Sequence, residues 1–236
     1  MKAIVCCGGQ GTRLRPYTYS IPKPMLPLGR KPILEYVLRH LKANGVNEVT
    51  LTVGYLKEQI ISHFGNGSKV GMKLSYSEEE GELGTAGSIL ASAGKFGKEP
   101  FIVQMGDHLS RLDIKAMAEA HRKSGCIASV ALKRTGVPLE YGIAEVNEKN
   151  RITAFKEKPI VRNLVNTGVY VFNPVIFDYI KPKEDFAKNV FPRLLAQKQH
   201  INGYIFDDYW LDIGRPADYE KVNEMVTLME MVGEKE

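Results

Sequence analysis

An alternation constrains the fold most. Short apolar runs of strand length recur through the first half of the chain, separated by stretches with helical periodicity. Ala3–Cys7, Glu48–Gly54, Met72–Ser77, Phe101–Met105 and Ile127–Leu132 read as strands. Pro32 opens a helix with Ile33, Leu34, Val37, Leu38 and Leu41 on one face, ended by Gly45. Leu56–Phe64, Thr85–Ala93 and Asp113–Ser124 read as further helices, with Ile60, Ile61 and Phe64 inward in the first and Ala116, Met117 and Ala120 inward in the last. Strands spaced by helices imply βαβ units and a parallel sheet. The second half changes character. Gly142–Val146 and Arg151–Phe155, joined by NEKN, read as a hairpin, and Val165–Phe172 as another strand. Helical patterns follow at Asp185–Gln197, where Pro192 should kink or split the helix, and from Pro216 towards Val232. The closing GEKE reads as a frayed tail. With no linker-like or repetitive segment, residues 1–236 are expected to form a single α/β domain carrying a β-rich lobe.

Composition narrows the function classes. The chain is 44% hydrophobic and 25% charged, ordinary for a globular protein. No apolar run reaches the ~18 residues of a membrane span, and the N-terminus lacks a signal-peptide pattern. Cys6, Cys7 and Cys126 fit no metal-ligand spacing and are too few for a disulfide framework, so a reducing cytoplasm is the expected home. A net charge of +5, interspersed along the chain, suits a small anionic substrate and does not call for nucleic acid.

In an open α/β sheet, ligands bind beyond the carboxyl ends of the strands. GGQGTR follows the first strand, EEEGELGTAG the third and GDH the fourth, so three glycine-containing turns should share one edge. The first turn is neither a Walker A loop, since no GK[ST] follows, nor a dinucleotide fingerprint, since Leu14 stands where the third glycine would be. By itself it reads equally as an anion cradle or a tight turn. Lys23, held between Pro22 and Pro24, is presented from a stiffened backbone, which a solvated lysine would not need.

Residues 8–25 read GGQGTRLRPYTYSIPKPM. With its pattern GG-x-GTRL-x-P-x-T-x-x-x-PKPM, the stretch resembles the signature of the sugar-1-phosphate nucleotidylyltransferases. The resemblance continues in LGTAG at 83–87, GD at 106–107, EYG at 140–142, EKP at 157–159, NTGVYVF at 166–172 and WLDIG at 210–214. It implies a Rossmann-like, three-layer α/β/α mixed sheet with a small sugar-binding lobe. Residues 1–135 would be the nucleotide-binding half and residues 136–236 the sugar-binding half. The C-terminal β-helix that many relatives carry is expected to be missing.

The implied reaction joins a nucleoside triphosphate to a sugar 1-phosphate, giving a nucleotide-sugar and pyrophosphate. Two polyanions must meet, so positioning and charge neutralisation are the protein's task. By resemblance, Gly8, Gly9, Gly11 and Thr12 would wrap the triphosphate, with Gly84 and Thr85 at the base. Arg13 would neutralise the leaving pyrophosphate and Lys23 would approach the α-phosphate. Asp107 and Asp212 would share one Mg²⁺. Gly142, Glu157, Lys158 and Asn166 would hold the sugar phosphate. His108 is expected behind the metal ligands or at the surface. Glu78–Glu80 reads as a solvated acidic run with room for a role in selectivity, and Met225, Leu228, Met229 and Met231 as packing or a subunit contact. ELGTAG leans towards GTP and mannose 1-phosphate, with glucose-1-phosphate thymidylyl- or uridylyltransfer as the alternative. A regulatory homologue that binds a nucleotide-sugar without turnover is the reading of another class. The resemblance leaves the oligomeric state open, relatives often being dimers or tetramers.

Overall fold

The structure, a computed structural model, describes residues 1–233. Of the expected GEKE tail, Glu234–Glu236 lie outside the described residues.

In chain order the elements begin with β1 (Lys2–Cys7), the short ladder β2 (Pro27–Leu28) and β3 (Lys31–Pro32), α1 (Ile33–Ala43), β4 (Glu48–Val53), α2 (Lys57–Phe64) and β5 (Lys73–Glu78). Next come α3 (Gly84–Gly87), β6 (Phe101–Met105), β7 (His108–Ser110), α4 (Ile114–Ser124) and β8 (Ala128–Pro138). The remainder is β9 (Ile143–Val146), β10 (Ile152–Lys156), β11 (Ile160–Phe172), α5 (Phe191–Ala196), β12 (Ile201–Phe206), β13 (Trp210–Asp212) and α6 (Pro216–Gly233).

The main sheet has seven strands in the order β12-β8-β11-β6-β1-β4-β5. β1 runs parallel to both β4 and β6, and β4 parallel to β5, as the alternation predicts. The fifth expected strand breaks the pattern. β8 does not join β6; β11 inserts between them, antiparallel to both. The sheet is therefore mixed.

Side-chain alternation divides it into faces. Ala3, Val5 and Cys7 of β1 pack on one side with Leu34, Leu38 and Leu41 of α1, Ile60 and Phe64 of α2 and Met117 of α4. Ile4 packs on the other with Ala86, Phe186, Val190 and Leu194. Helices cover both faces, giving the three layers. A smaller third core joins Leu14, Leu26, Leu28 and Ile33 to Ile213, Tyr219 and Val222 of the chain's last segment.

One helix expectation is corrected. Thr85–Ala93 is not one helix but the four-residue α3 followed by a 3₁₀ turn at Leu90–Ser92. Backbone N–H groups of Ala86 and Gly87 turn away to Glu184 O, at 2.9 and 3.0 Å. Asp185–Gln197 is split as Pro192 leads one to expect, a π turn over Phe186–Val190 leading into α5, whose first turn holds Pro192. β9 and β10 form the expected antiparallel hairpin, carried between the long arms of β8 and β11. Among the described residues, no helix is long and apolar enough to cross a membrane.

Candidate active site

The order β5-β4-β1-β6 places the chain's reversal of direction across the sheet between β1 and β6, which is where α/β sheets hold ligands. A cleft of about 460 Å³ lies there. Gly8, Gly9, Gly11, Thr12 and Arg13 line one part, and Gly81–Thr85 another. Lys23 and Asp107 also line it. All of the residues expected to bind nucleotide are brought together.

The opening loop is held by its own neighbours. Thr18 Oγ1 donates to Gly11 O at 2.9 Å, and Leu14, fully buried, anchors the 3₁₀ turn Thr12–Leu14 in the third core. Arg13 stays exposed beside that anchor. Thr85 differs from expectation in one respect. Its N–H and hydroxyl both donate to Asp185 Oδ1, at 3.0 and 3.2 Å, and the hydroxyl accepts from Phe186 N. It lines the cleft with a hydroxyl already engaged in fixing the loop.

At the cleft's other end, β7 and β13 pair antiparallel, setting Asp212 opposite His108. Asp107, His108 and Asp212 bring one ligand atom each within 4.8 Å of one another. Lys23, only 8% exposed, hydrogen-bonds Asp107 Oδ2 and lies 3.8 Å from Asp212 Oδ1. The ammonium thus rests against the two carboxylates.

His108 is not a surface residue. Its Nδ1 lies 2.8 Å from Thr167 O, which fixes Nδ1 as the protonated nitrogen. Nε2 then faces Asp107 Oδ1 at 3.5 Å and Asp212 Oδ1 at 3.3 Å. A neutral ring would turn a lone pair towards two carboxylates, so the arrangement calls for an imidazolium or a bound cation. Burial disfavours charge on His108, but Asp107 and Asp212 outweigh it and raise its pKa. His108 first of all holds the Asp212 carboxyl down to about 2. Burial pushes Asp107 up, and His108 with Lys23 overcomes it, leaving it lowered.

Gly168 makes this approach of β11 feasible. At φ +73° it adopts a backbone that L side chains avoid, and a Cβ there would stand 2.8 Å from His108 Nδ1 and Met105 Cγ. Trp210 Nε1 donates to the same Thr167 O at 3.1 Å.

The expected sugar-side residues are less gathered. Asn166 sits at the irregularity of β11 and accepts from Gly168 N at 3.0 Å, next to Thr167 and hence to His108. Gly142 and Glu157 lie against each other at the base of the β9–β10 hairpin. Gly142, Glu157 and Lys158 do not line the cleft. Of the two expectations for His108, behind the metal ligands or at the surface, the structure takes the first; the sequence could not choose between them because the contact depends on a pairing with β13, a hundred residues away.

A divalent cation fits the residues present. Asp212 Oδ1 is buried without a hydrogen-bond partner of good geometry, and Asp107 faces it across the same small space. Two carboxylates with open positions between them match the oxygen ligands that hard cations take.

A family model described as "Nucleotidyl transferase" matches residues 2–228. A mannose-1-phosphate guanylyltransferase of Mycobacterium tuberculosis is 37% identical over 92% of this chain and 62% of its own length. A UTP–glucose-1-phosphate uridylyltransferase of Synechocystis sp. is 35% identical over 93% of this chain and 61% of its own. The chain thus spans less than two thirds of the length of these relatives. The crystal structure of HddC from Yersinia pseudotuberculosis superposes with a TM-score of 0.77 at 26% identity, covering 95% of this chain and 98% of that one.

Proposed function

From the premise that this chain belongs to the nucleotidyl transferase family, we propose that it is a sugar-1-phosphate nucleotidylyltransferase. An oxygen of the sugar phosphate attacks the α-phosphorus of a nucleoside triphosphate in line. The bond from the α-phosphorus to the bridging oxygen breaks, and pyrophosphate leaves with its charge. The observation that carries this reading is the meeting of Lys23, Asp107 and Asp212 at one end of a glycine-walled cleft.

Gly8, Gly9, Gly11 and Thr12 present backbone donors to the triphosphate, and Gly84 and Thr85 bound the base. Arg13 faces the departing pyrophosphate. Lys23 leaves the carboxylates for the α-phosphate as substrate enters. Asn166, Gly142, Glu157 and Lys158 take the sugar phosphate, with the β9–β10 hairpin moving towards the cleft. Asp107 and Asp212 would hold Mg²⁺, which, when bound, offsets the repulsion between the two substrates' phosphates. Residues 1–135 serve the nucleotide and residues 136–236 the sugar, as one domain working in the cytoplasm.

GTP with mannose 1-phosphate is the favoured pair, supported by ELGTAG and by the guanylyltransferase relative. Glucose 1-phosphate with UTP or dTTP is the alternative, since the uridylyltransferase relative is nearly as similar. Pyrophosphate release with Mg²⁺ tests both. GTP, dTTP, UTP, CTP and ATP are each combined with mannose, glucose, galactose and N-acetylglucosamine 1-phosphates. Release with one clear pair supports the reading and names the substrates. Silence from folded protein, with nucleotide-sugar binding retained, would replace it with the regulatory one.

A further inference from the structure

The proposed reaction uses Asp107 and Asp212 and leaves His108 without a task, yet the imidazole is held with more care than either carboxylate. Nδ1 donates to Thr167 O at 2.8 Å, and that carbonyl is fixed in turn by Trp210 Nε1 at 3.1 Å. The Trp210 ring meets the imidazole edge to face, with centroids 5.7 Å apart and planes at 86°. Gly168 lets the backbone of β11 come this close. These contacts fix the ring's orientation and leave Nε2 facing the two carboxylates.

Distance separates two explanations of that facing. A proton on Nε2 would draw one carboxylate into a charge-assisted hydrogen bond of about 2.7–2.9 Å. Instead Nε2 stands 3.3 Å from Asp212 Oδ1 and 3.5 Å from Asp107 Oδ1, and Asp212 Oδ1 is buried without a hydrogen-bond partner. Two atoms that each lie about 2.1 Å from one ion are about 3.0 Å apart at a right angle and about 3.4 Å apart at the tetrahedral angle. The observed separations are therefore those of neighbouring ligands rather than of a donor and its acceptor. Lys23 leaves these atoms free: it bonds the other oxygen of Asp107, Oδ2, and stays 3.8 Å from Asp212 Oδ1.

Resting on the reading that Asp107 and Asp212 share a cation, we propose that His108 does more than back the two carboxylates. Its Nε2 is the cation's third protein ligand, and it makes the site select borderline transition-metal dications, such as Co²⁺ or Zn²⁺, over Mg²⁺. Mg²⁺ takes oxygen ligands and would still bind through the carboxylates alone, whereas imidazole nitrogen favours ions later in the first transition series. A ring that donates its other N–H to a backbone carbonyl is also the usual state of a metal-bound histidine, since the carbonyl sets the tautomer and the orientation.

The test is calorimetric titration of the wild type and His108→Phe with Co²⁺ and with Mg²⁺, together with proton NMR of the Co²⁺-loaded protein. His108→Phe should weaken Co²⁺ at least about tenfold and Mg²⁺ less than about threefold. Co²⁺ loading of the wild type should also give a strongly shifted, exchangeable N–H resonance from the ring's Nδ1–H, which the variant lacks. Co²⁺ binding without that resonance overturns the proposal in the wild type alone, so misfolding of His108→Phe cannot shield it. Equal weakening of both ions in the folded variant also overturns it, being the mark of a ring that only positions the carboxylates. Binding of neither ion at millimolar concentration overturns the shared cation site and this ligand together. None of these outcomes touches the reaction class, which pyrophosphate release decides separately.

Discussion

Asp212 lies directly opposite His108 in the β7–β13 pair, with His108 Nε2 3.3 Å from its Oδ1. Two three-residue strands therefore decide whether the two aspartates share a cation. Neither strand belongs to the main sheet, and each takes its position from what anchors its neighbours: Gly106 N donates to Cys6 O at 2.9 Å before β7, and Ile213 is fully buried after β13.

Lys23→Ala and Asp107→Asn should each lower pyrophosphate release by about 10²–10³, the effect of removing one preorganised electrostatic group. Circular dichroism and the unfolding midpoint should show the fold retained. Near-normal turnover in either folded variant would remove these residues from the site. Magnesium chelation should stop release, and added Mg²⁺ should restore it.

Gly168→Ala combines a positive-φ strain with a Cβ directed at His108, so it should cost about 1–3 kcal/mol in urea unfolding. Its effect on kcat should be larger than that loss of stability implies, because the displaced ring is the one facing both aspartates. Equal activity per folded molecule would show that His108 does not set their positions.

Ile213→Ala empties a fully buried site in the third core and should destabilise the protein by about 2–5 kcal/mol. The residue adjoins Asp212, so apparent Mg²⁺ affinity should weaken as well. Titration of activity against Mg²⁺ at a temperature where the variant remains folded separates the two effects.

Glu184 makes two hydrogen bonds to the Arg193 guanidinium, which holds its carboxyl at about 2, against 4.5 ordinarily. A depressed carboxyl adds stability that is complete above its unfolded pKa and is lost as pH falls through the folded one. That loss should fall between pH 4.5 and 2, and the slope of the urea midpoint across this window should flatten in Arg193→Leu. The same residue's carbonyl accepts from Ala86 and Gly87, so acid should loosen the loop at the base side of the cleft first. Amide exchange in that loop, unchanged down to pH 2, would refute the order.

Local pattern made much of this legible. The apolar strands β1, β4, β5 and β6 carry their own period, and turns at their carboxyl ends inherit a shared edge from the parallel arrangement. Lys23 declared itself through Pro22 and Pro24, and Pro192 marked the break before α5. What stayed hidden is set by distant partners. Thr85 looks free in the sequence, yet Asp185 engages it from a hundred residues away. The insertion of β11 between β6 and β8 leaves no local trace, since a buried strand reads the same in either direction. Glu79 read as one of three solvated glutamates, and its burial comes from its position over Gly8.

The third core has a consequence for synthesis. Leu14, beside Arg13, packs with Ile213, Tyr219 and Val222, so the first glycine loop of the cleft shares its support with residues made some two hundred positions later. A growing chain on the ribosome can pair β1, β4, β5 and β6 early, but it holds an unsupported loop and only one of the two aspartates until β13 and α6 emerge. Nascent chains should therefore acquire their sheet well before they can acquire activity, and a chain stalled or cut before residue 213 should fold in part and remain inert.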